Sequence, residues 1–240
     1  MLDYDSLKRD ERKFVGLTGL TPSEFQRLLP AFARAYARAF PPTKTQVGNP
    51  RQRRPGAGRK AALSRPEDKL LFVLVYQKAY PLQELLGSLF DLSQSRANRW
   101  VHRLLPILVR ALGGLGVLPE RNPRRFPRHE RRRGEPPELI IDGTERRLQR
   151  PKSPEKQRLH YSGKKKAHSD KNVVIVNARS KRVGYLSGTY AGKMHDKKVA
   201  EVEGIRYPRR STLLKDTGFQ GYEPQVRQTR QPKKSRVAGR

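Results

Sequence analysis

The sequence contains no cysteine. A disulfide framework, a thiolate zinc site and a cysteine nucleophile are therefore all excluded. Long apolar segments are also missing, because the longest uninterrupted run, residues 70–76, is far too short to cross a bilayer. The first residues, MLDYDSLKRDERKF, lack the apolar stretch of a signal peptide. These absences predict a cytoplasmic protein that does not act at a membrane.

Acidic residues are scarce, with 22 Asp and Glu against 53 Lys and Arg and a formal net charge of +31. Such an excess destabilises the compact state by self-repulsion unless a polyanion neutralises it. Nucleic acid is the first candidate for that polyanion. A ribosomal protein, a nucleoid protein and a nuclease would all fit, so charge alone does not choose between them. The length of 240 residues suffices for one large domain or two small ones.

The first 112 residues predict a helical DNA-binding domain. A capping box at Thr21 and Glu24 opens a helix whose apolar residues recur at helical spacing. A second capping box at Ser64 and Glu67 opens another helix with a broad apolar face. Both helices have the apolar stripe that a small helical core needs.

Residues 82–105 predict a helix-turn-helix, with helices over 82–90 and 94–105 around a turn at Leu92. The side chains expected to face the core are Leu85, Leu86, Leu89, Ala97, Val101 and Leu104. The side chains expected to reach base edges and phosphates are Gln94, Ser95, Arg96, Asn98 and Arg99. The alternative is a helical hairpin with a polar outer face.

Two basic stretches predict little packed structure. Residues 113–137 are rich in Arg and Pro, and residues 43–60 combine basic residues with Pro and Gly but show no apolar periodicity. We expect 113–137 to be a linker, either a solvated connection or an arm that follows phosphates; the two roles are compatible. We expect 43–60 to be a loop or a basic arm.

The second half, residues 138–240, predicts a sheet domain of α+β or α/β type. A short buried strand over 139–141 ends in Asp142, and strands over 172–177 and 183–186 form a hairpin. A helix over 195–203 follows. A fourth strand, 211–215, ends in Asp216.

Asp142 and Asp216 each follow a short apolar strand and precede Gly or Thr-Gly. If the first and fourth strands are neighbours, both carboxylates project into one crevice at the ends of the strands. They would repel unless a cation lies between them, and carboxylate oxygens suit Mg²⁺ or Mn²⁺. Such ions can activate water and stabilise the leaving oxygen of a phosphoryl displacement. The alternative for each Asp alone is a turn residue that caps the next segment.

Five ordered segments resemble the DDE transposases of bacterial insertion sequences, most closely the insertion-sequence-five-like family. They are IDGTER at 141–146, QRP at 149–151, YSGKKKAH at 161–168, GKMHDKK at 192–198 and DTGFQGY at 216–222. The resemblance implies an RNase H-like mixed-sheet catalytic domain over 138–240. It also implies that Asp142 and Asp216 are the two metal-binding catalytic residues. The preceding helix-turn-helix matches the DNA-binding part of the family.

The sequence departs from the family at the third acid, which is a Glu on a helix well beyond the second Asp. After Asp216 there is one acidic residue, Glu223, next to Pro224, and we do not expect it to substitute. The expectation is a chain truncated before the third acid, as one reading frame of a frameshifted pair or as a decayed copy. Such a chain would bind DNA and cleave it poorly or not at all.

The resulting hypothesis is a DNA transposase, or its first reading-frame fragment, with Mg²⁺ or Mn²⁺ as cofactor. It would bind double-stranded DNA at the terminal repeats and the target, hydrolyse phosphodiesters and transfer strands. Its partners would be further copies of itself on DNA and a downstream-frame product. The alternative is a non-catalytic DNA-binding regulator of transposition. An RNA-binding structural protein would explain the charge but not the matched aspartates.

Three further features have open interpretations. Lys164, Lys165 and Lys166 are expected to contact DNA next to the phosphodiester site, the alternative being a solvated face. Asp196 suits the first turn of a helix, and a supporting role near the metals is the other choice. Tyr161 is either a core residue or a stacking residue.

Overall fold

The computed structural model describes residues 2–43, 49–50, 52, 62–131 and 137–232. The chain divides into two units, Met1–Val117 and Leu118–Arg240. The predicted basic arm at 43–60 lies almost entirely outside the described residues. Within the described parts, no helix is both long and apolar enough to cross a membrane.

The regular elements described in the first unit are helices. They are α1 (Tyr4–Leu7), α2 (Glu11–Thr18), α3 (Pro22–Ala39), α4 (Pro66–Ala79), α5 (Gln83–Leu89) and α6 (Gln94–Gly114). Their apolar faces meet in one core, where the ring of Tyr4 stacks on Phe25 with centroids 4.9 Å apart. The capping box at Thr21 and Glu24 is confirmed. The one expected at Ser64 is wrong, because α4 begins after Arg65 and its N-cap makes no side-chain bond.

The α5–α6 pair forms the predicted helix-turn-helix. Leu86 and Leu92 are buried, as expected, and Gly87 allows the turn to close. A Cβ atom at Gly87 would lie 2.4 Å from the Leu92 carbonyl oxygen, so a larger residue there would push the helices apart. The prediction for Leu85 is wrong, since that side chain is exposed, and α6 continues to Gly114 instead of ending near 105. The second helix is longer because its apolar face extends through Leu108 and Ala111.

The second unit begins inside the segment predicted as a linker. Helix α7 (Phe126–Arg131) lies there, and Phe126 is fully buried with its ring 5.7 Å from that of Tyr185. The expectation of no packed core over 113–137 is therefore wrong for this stretch. The Phe126 ring packs against Tyr185 and Tyr207, and these contacts anchor the stretch to the second unit. The remaining elements are β1 (Glu138–Arg147), α8 (Pro154–His160), β2 (Tyr161–Ser162), β3 (Ala167–Asn177), β4 (Val183–Leu186), β5 (Tyr190–Ala191), α9 (Asp196–Glu203), β6 (Thr212–Lys215) and β7 (Gln228–Arg230), with a 3-10 turn at Thr217–Phe219.

A mixed sheet organises this unit in the order β2-β3-β1-β6-β7, with β4 and β5 also pairing with β3. β1 runs antiparallel to β3 and parallel to β6, and β6 runs parallel to β7. The predicted hairpin of β3 and β4 is confirmed. β1 does not end at Asp142 as expected but continues to Arg147, because residues 142–147 keep pairing with β3 after β6 has ended.

Alternation along the strands gives this sheet two unlike faces. One face, here called the closed face, packs against α9, and its central side chains are fully buried: Leu139, Ile141, Val173, Ile175 and Leu213. The other, here called the open face, presents half-buried or exposed side chains: Ile140, Asp142, Val174, Val176, Leu214 and Asp216. The candidate site lies on the open face.

Candidate metal centre and nucleic-acid interface

Asp142 and Asp216 are brought together by strand register. The parallel ladder between β1 and β6 pairs Glu138 with Thr212 and ends with Ile141 opposite Lys215. The next residue on each chain is therefore an aspartate. Because neighbouring strands lie about 4.8 Å apart and alternate residues share a face, the two carboxylates project side by side from the open face. The expectation that the first and fourth predicted strands are neighbours is confirmed.

Each carboxylate is held by a backbone amide one or two residues further along the chain. Asp142 Oδ1 accepts a hydrogen bond from Gly143 N at 2.7 Å, and Asp216 Oδ1 accepts one from Gly218 N at 2.9 Å. Among the described residues, no Lys or Arg forms an ion pair with either aspartate. The pair lines an open cleft of about 630 Å³ whose rim includes Arg230 and Gln231. Two carboxylates without a cationic partner among the described residues thus lie together in a strongly basic chain.

This donor set fits a divalent cation. Mg²⁺ usually keeps several waters and is held by one or two carboxylates together with substrate phosphates. Two exposed, parallel aspartates supply that number of protein ligands. In the part of the chain that the structure describes, no group of three or more His, Asp or Glu side chains could hold a metal. An ion here would therefore take only these two carboxylates from the described residues.

Glu223 is engaged away from the pair. Its carboxylate lies 2.5 Å from Lys215 Nζ and accepts a hydrogen bond from Thr229 Oγ1 at 3.0 Å. The Lys215 ammonium holds the pKa of Glu223 below its usual range. Lys215 belongs to the closed face, one residue out of phase with Asp216.

An ionic cluster of Lys171, Glu145 and Asp196 lies behind the pair on the closed face, and the sequence pattern pointed to it only weakly. The Asp196 carboxylate lies so close to Gly143 that a Cβ atom there would be 2.3 Å from Oδ1, and one at Gly218 would be 3.1 Å from Oδ2. Lys171 Nζ lies 3.0 Å from Asp196 Oδ1 and 3.4 Å from Glu145 Oε1. Asp196 therefore lies directly behind Gly143 of β1 and Gly218 of the 3-10 turn. The sequence signal was a glycine one or two residues after each aspartate.

The predicted DNA-reading residues lie at the start of α6. Four are exposed, namely Gln94, Ser95, Arg96 and Arg99, and Asn98 is half-buried. Gln83 Oε1 accepts hydrogen bonds from Gln94 Nε2 at 3.0 Å and from Asn98 Nδ2 at 3.1 Å. These bonds tie α5 to α6 and orient the two amides on the surface. Arg96 and Arg99 leave two guanidinium groups on the outer face of the helix.

Lys164, Lys165 and Lys166 are exposed in the tight turn between β2 and β3. The turn lies seven residues along β3 from Val174, the partner of Asp142. At about 3.3 Å per residue, that separation is about 23 Å. The structure therefore does not place the lysines beside the aspartate pair, and a role in DNA contact stays a prediction.

Comparisons with known proteins agree with this geometry. Residues 62–114 match the helix-turn-helix of DDE superfamily endonuclease, and residues 141–239 match the DDE superfamily endonuclease. The chain is 24% identical over 171 residues to the "Probable transposase for insertion sequence element IS702" of Microchaete diplosiphon, an alignment covering 71% of this chain and 57% of that relative. No solved structure matches. With both models in chain order, residues 62–114 and 141–239 resemble the helix-turn-helix and the endonuclease parts of the DDE-superfamily transposases of insertion sequences.

Proposed function

We propose that this chain is a DNA transposase, or its first reading-frame fragment, that binds the ends of an insertion sequence and contributes the Asp142–Asp216 pair to phosphodiester cleavage. The observation that carries the proposal is the register of β1 and β6, which sets the two carboxylates side by side on an open face.

We further propose that the sheet is RNase H-like. Its support is a long central strand that is antiparallel to one neighbour and parallel to the other.

The mechanism assigns separate tasks to the residues around the cleft. Asp142 and Asp216 would hold divalent metal, the cofactor class that the DDE endonuclease family generally uses, with Mg²⁺ or Mn²⁺ as our assignment. When bound, such an ion supplies an activated water and charge neutralisation at the scissile phosphate. Arg230 on the cleft rim would bind the DNA backbone. The Gly143 and Gly218 amides keep both carboxylates oriented.

DNA recognition is assigned to the helix-turn-helix. The start of α6 would lie in the major groove, where Gln94 and Asn98 suit adenine edges and Arg96 and Arg99 suit guanine edges or phosphates. Cutting two element ends calls for more than one protomer, so we expect a homo-oligomer on DNA. A membership in the insertion-sequence-five-like group and a downstream-frame product stay predictions.

The test is a titration of Mn²⁺ into the purified chain, followed by electron paramagnetic resonance. We expect wild type to bind the ion, and Asp142→Asn and Asp216→Asn each to weaken binding at least about tenfold, since each removes one of two charged ligands. The control is Glu155→Gln, which removes one exposed acidic charge on α8 of the same unit.

Cleavage gives the second readout. Magnesium-dependent nicking of terminal-repeat DNA that is lost in Asp142→Asn would establish the chemistry at this pair and would overturn the expectation that a chain without the third acid cleaves poorly. The metal assignment would be wrong if Asp142→Asn bound Mn²⁺ as tightly as Glu155→Gln.

A further inference from the structure

A second cleft of about 810 Å³ lies at the other end of the sheet and has no role in the proposed chemistry. It is formed where α8 meets the β2–β3 hairpin and the segment after β5. Its lining residues are Arg150, Gln157, Arg158, Tyr161, Gly163, His168 and Lys193. Three of them are cationic, and no Asp or Glu is among the described lining residues. The cleft therefore suits an anionic ligand.

An exposed aromatic ring stands in this cleft. Tyr161 is 46% exposed, although its strand neighbour Ser162 is buried. The ring meets His168 edge-on, with centroids 5.7 Å apart and planes at 72°. This contact fixes the ring while leaving nearly half of the side chain open to a ligand. An open ring among cations is the arrangement that binds the bases of unpaired nucleic acid.

Arg150 is positioned without an acidic partner among the described residues. Its Nε and Nη2 donate to Gln157 Oε1 at 3.1 and 3.0 Å, and Gln157 Nε2 in turn donates to the Pro151 carbonyl at 2.8 Å. A neutral amide therefore orients the guanidinium where a carboxylate would have cancelled its charge. The donors that remain are available to a phosphate, the anion that the arginine fork fits best.

Register places this cleft on the same face as the aspartate pair. Tyr161 pairs with His168, and Asp142 pairs with Val174. His168 and Val174 are six residues apart on β3, so they share the open face at a separation of about 20 Å. A nucleic-acid strand advances about 3.4 Å per nucleotide, so one strand on this face spans the two sites in about six nucleotides.

From these observations we propose that the cleft binds a single unpaired nucleotide of the DNA, with its base on Tyr161 and its phosphate on Arg150 and Lys193. An intact duplex does not offer a base face, because stacking covers both sides of every pair, so the ligand is an unpaired or flipped-out nucleotide. The inference rests on the proposed function in that the ligand is DNA engaged at the aspartate pair. It names a contact about six nucleotides from the cut.

The experiment titrates the full chain into an eight-nucleotide single-stranded DNA that carries one 2-aminopurine, whose fluorescence falls on stacking. We expect wild type to bind and quench the probe. Tyr161→Ala should weaken binding about tenfold and abolish quenching, whereas Tyr161→Phe keeps the ring and should retain both. Arg150→Gln should weaken binding and lower the salt dependence by about one counterion.

The matched control is Leu159→Ala, which removes another exposed apolar side chain from the neighbouring helix α8. It should bind and quench like wild type, and thermal melting should confirm that all variants fold. Quenching in Tyr161→Ala equal to that in Leu159→Ala, or no quenching by wild type, would overturn the inference. The Mn²⁺ titration is independent of this result, so the cleft and the metal pair can fail separately.

Discussion

The two faces of the sheet are made by alternate residues of the same strands and have different roles. On the closed face, Ile141 and Gly143 pack against α9 and a buried ion cluster. On the open face, Ile140 stays half-buried, and Asp142 keeps one oxygen free of hydrogen bonds to other described residues. Residues that stabilise the fold and residues that are available for chemistry therefore alternate along the same strand.

The open face is supported by side chains of the closed face. Asp196 approaches Gly143 and Gly218, which follow the two site aspartates, and Lys171 holds Asp196 in place. The carboxylates that must stay exposed gain little packing of their own. Their positions are fixed by buried neighbours one residue away.

Removing Lys171 should break the closed face most severely. Its side chain is 7% exposed, and its ammonium pairs with Asp196 and Glu145 and donates to the Met194 carbonyl at 2.7 Å. Lys171→Met leaves two buried carboxylates without their cation, which costs about 3–5 kcal/mol of unfolding free energy. Hydrogen exchange at the amides of β1 should report the loss.

The matched variant is Lys198→Met on α9, whose ammonium is exposed and pairs only loosely with Glu201 at 3.8 Å. It should cost less than about 1 kcal/mol. Equal exchange rates in the two variants would mean that the ion pairs of Lys171 stabilise the fold no more than the exposed ion pair of Lys198. We also expect Lys171→Met to weaken Mn²⁺ binding, since Asp196 would no longer be held against Gly143 and Gly218.

Adding one methyl group at Gly143 should have the next largest effect. A Cβ atom there would lie 2.3 Å from Asp196 Oδ1 and 2.6 Å from its Cγ, and the short side chain is held by Lys171. Gly143→Ala should therefore cost about 1–3 kcal/mol of stability through overpacking, measured by urea unfolding.

A double variant sharpens this test. Asp196→Ala removes the carboxylate that the methyl group would strike, so the combined loss in Gly143→Ala/Asp196→Ala should be smaller than the sum of the single losses. Gly163→Ala, with nothing within 4 Å of its Cβ position, serves as the neutral control. Additive losses would mean that the two residues do not contact each other as described.

The sequence predicted the elements that carry strong local patterns. Thr21 with Glu24 opened a helix, Leu92 marked a turn, and the apolar run before Asp216 formed a strand. Local patterns failed where partners distant in sequence decided the outcome. β1 extends past Asp142 because β3 continues to pair with it. Phe126 is buried although its sequence neighbours are mostly arginines, because its ring packs against those of Tyr185 and Tyr207.

The same distinction applies to the site. Both aspartates could be selected from the sequence because each follows a short apolar strand, but only the register places them on one face. The supporting role of Asp196 was harder to predict, because its partners Lys171 and Gly143 lie 25 and 53 positions earlier in the sequence. The turn that contains Lys164, Lys165 and Lys166 was expected beside the site. The order of segments along the sequence does not show at which end of β3, relative to the aspartates, this turn lies.

The smallest expected effect is a pH-dependent change in folding stability that comes from Glu145, a residue of the closed face. Burial would raise the pKa of Glu145, but hydrogen bonds from Ser162 and Ser169 and the Lys171 ammonium together hold it below the ordinary value of 4.5. A carboxyl group whose pKa is lower in the folded state adds stability above about pH 4.5, and that contribution is lost as the pH falls through the folded value. The stability difference between wild type and Glu145→Gln should thus be constant from about pH 7 to 5 and shrink below about pH 4.5. Urea unfolding at each pH, corrected by the exposed Glu155→Gln variant, measures it. A difference that persisted unchanged to pH 3 would show that the closed face is stabilised by the packing of Glu145 and not by its charge.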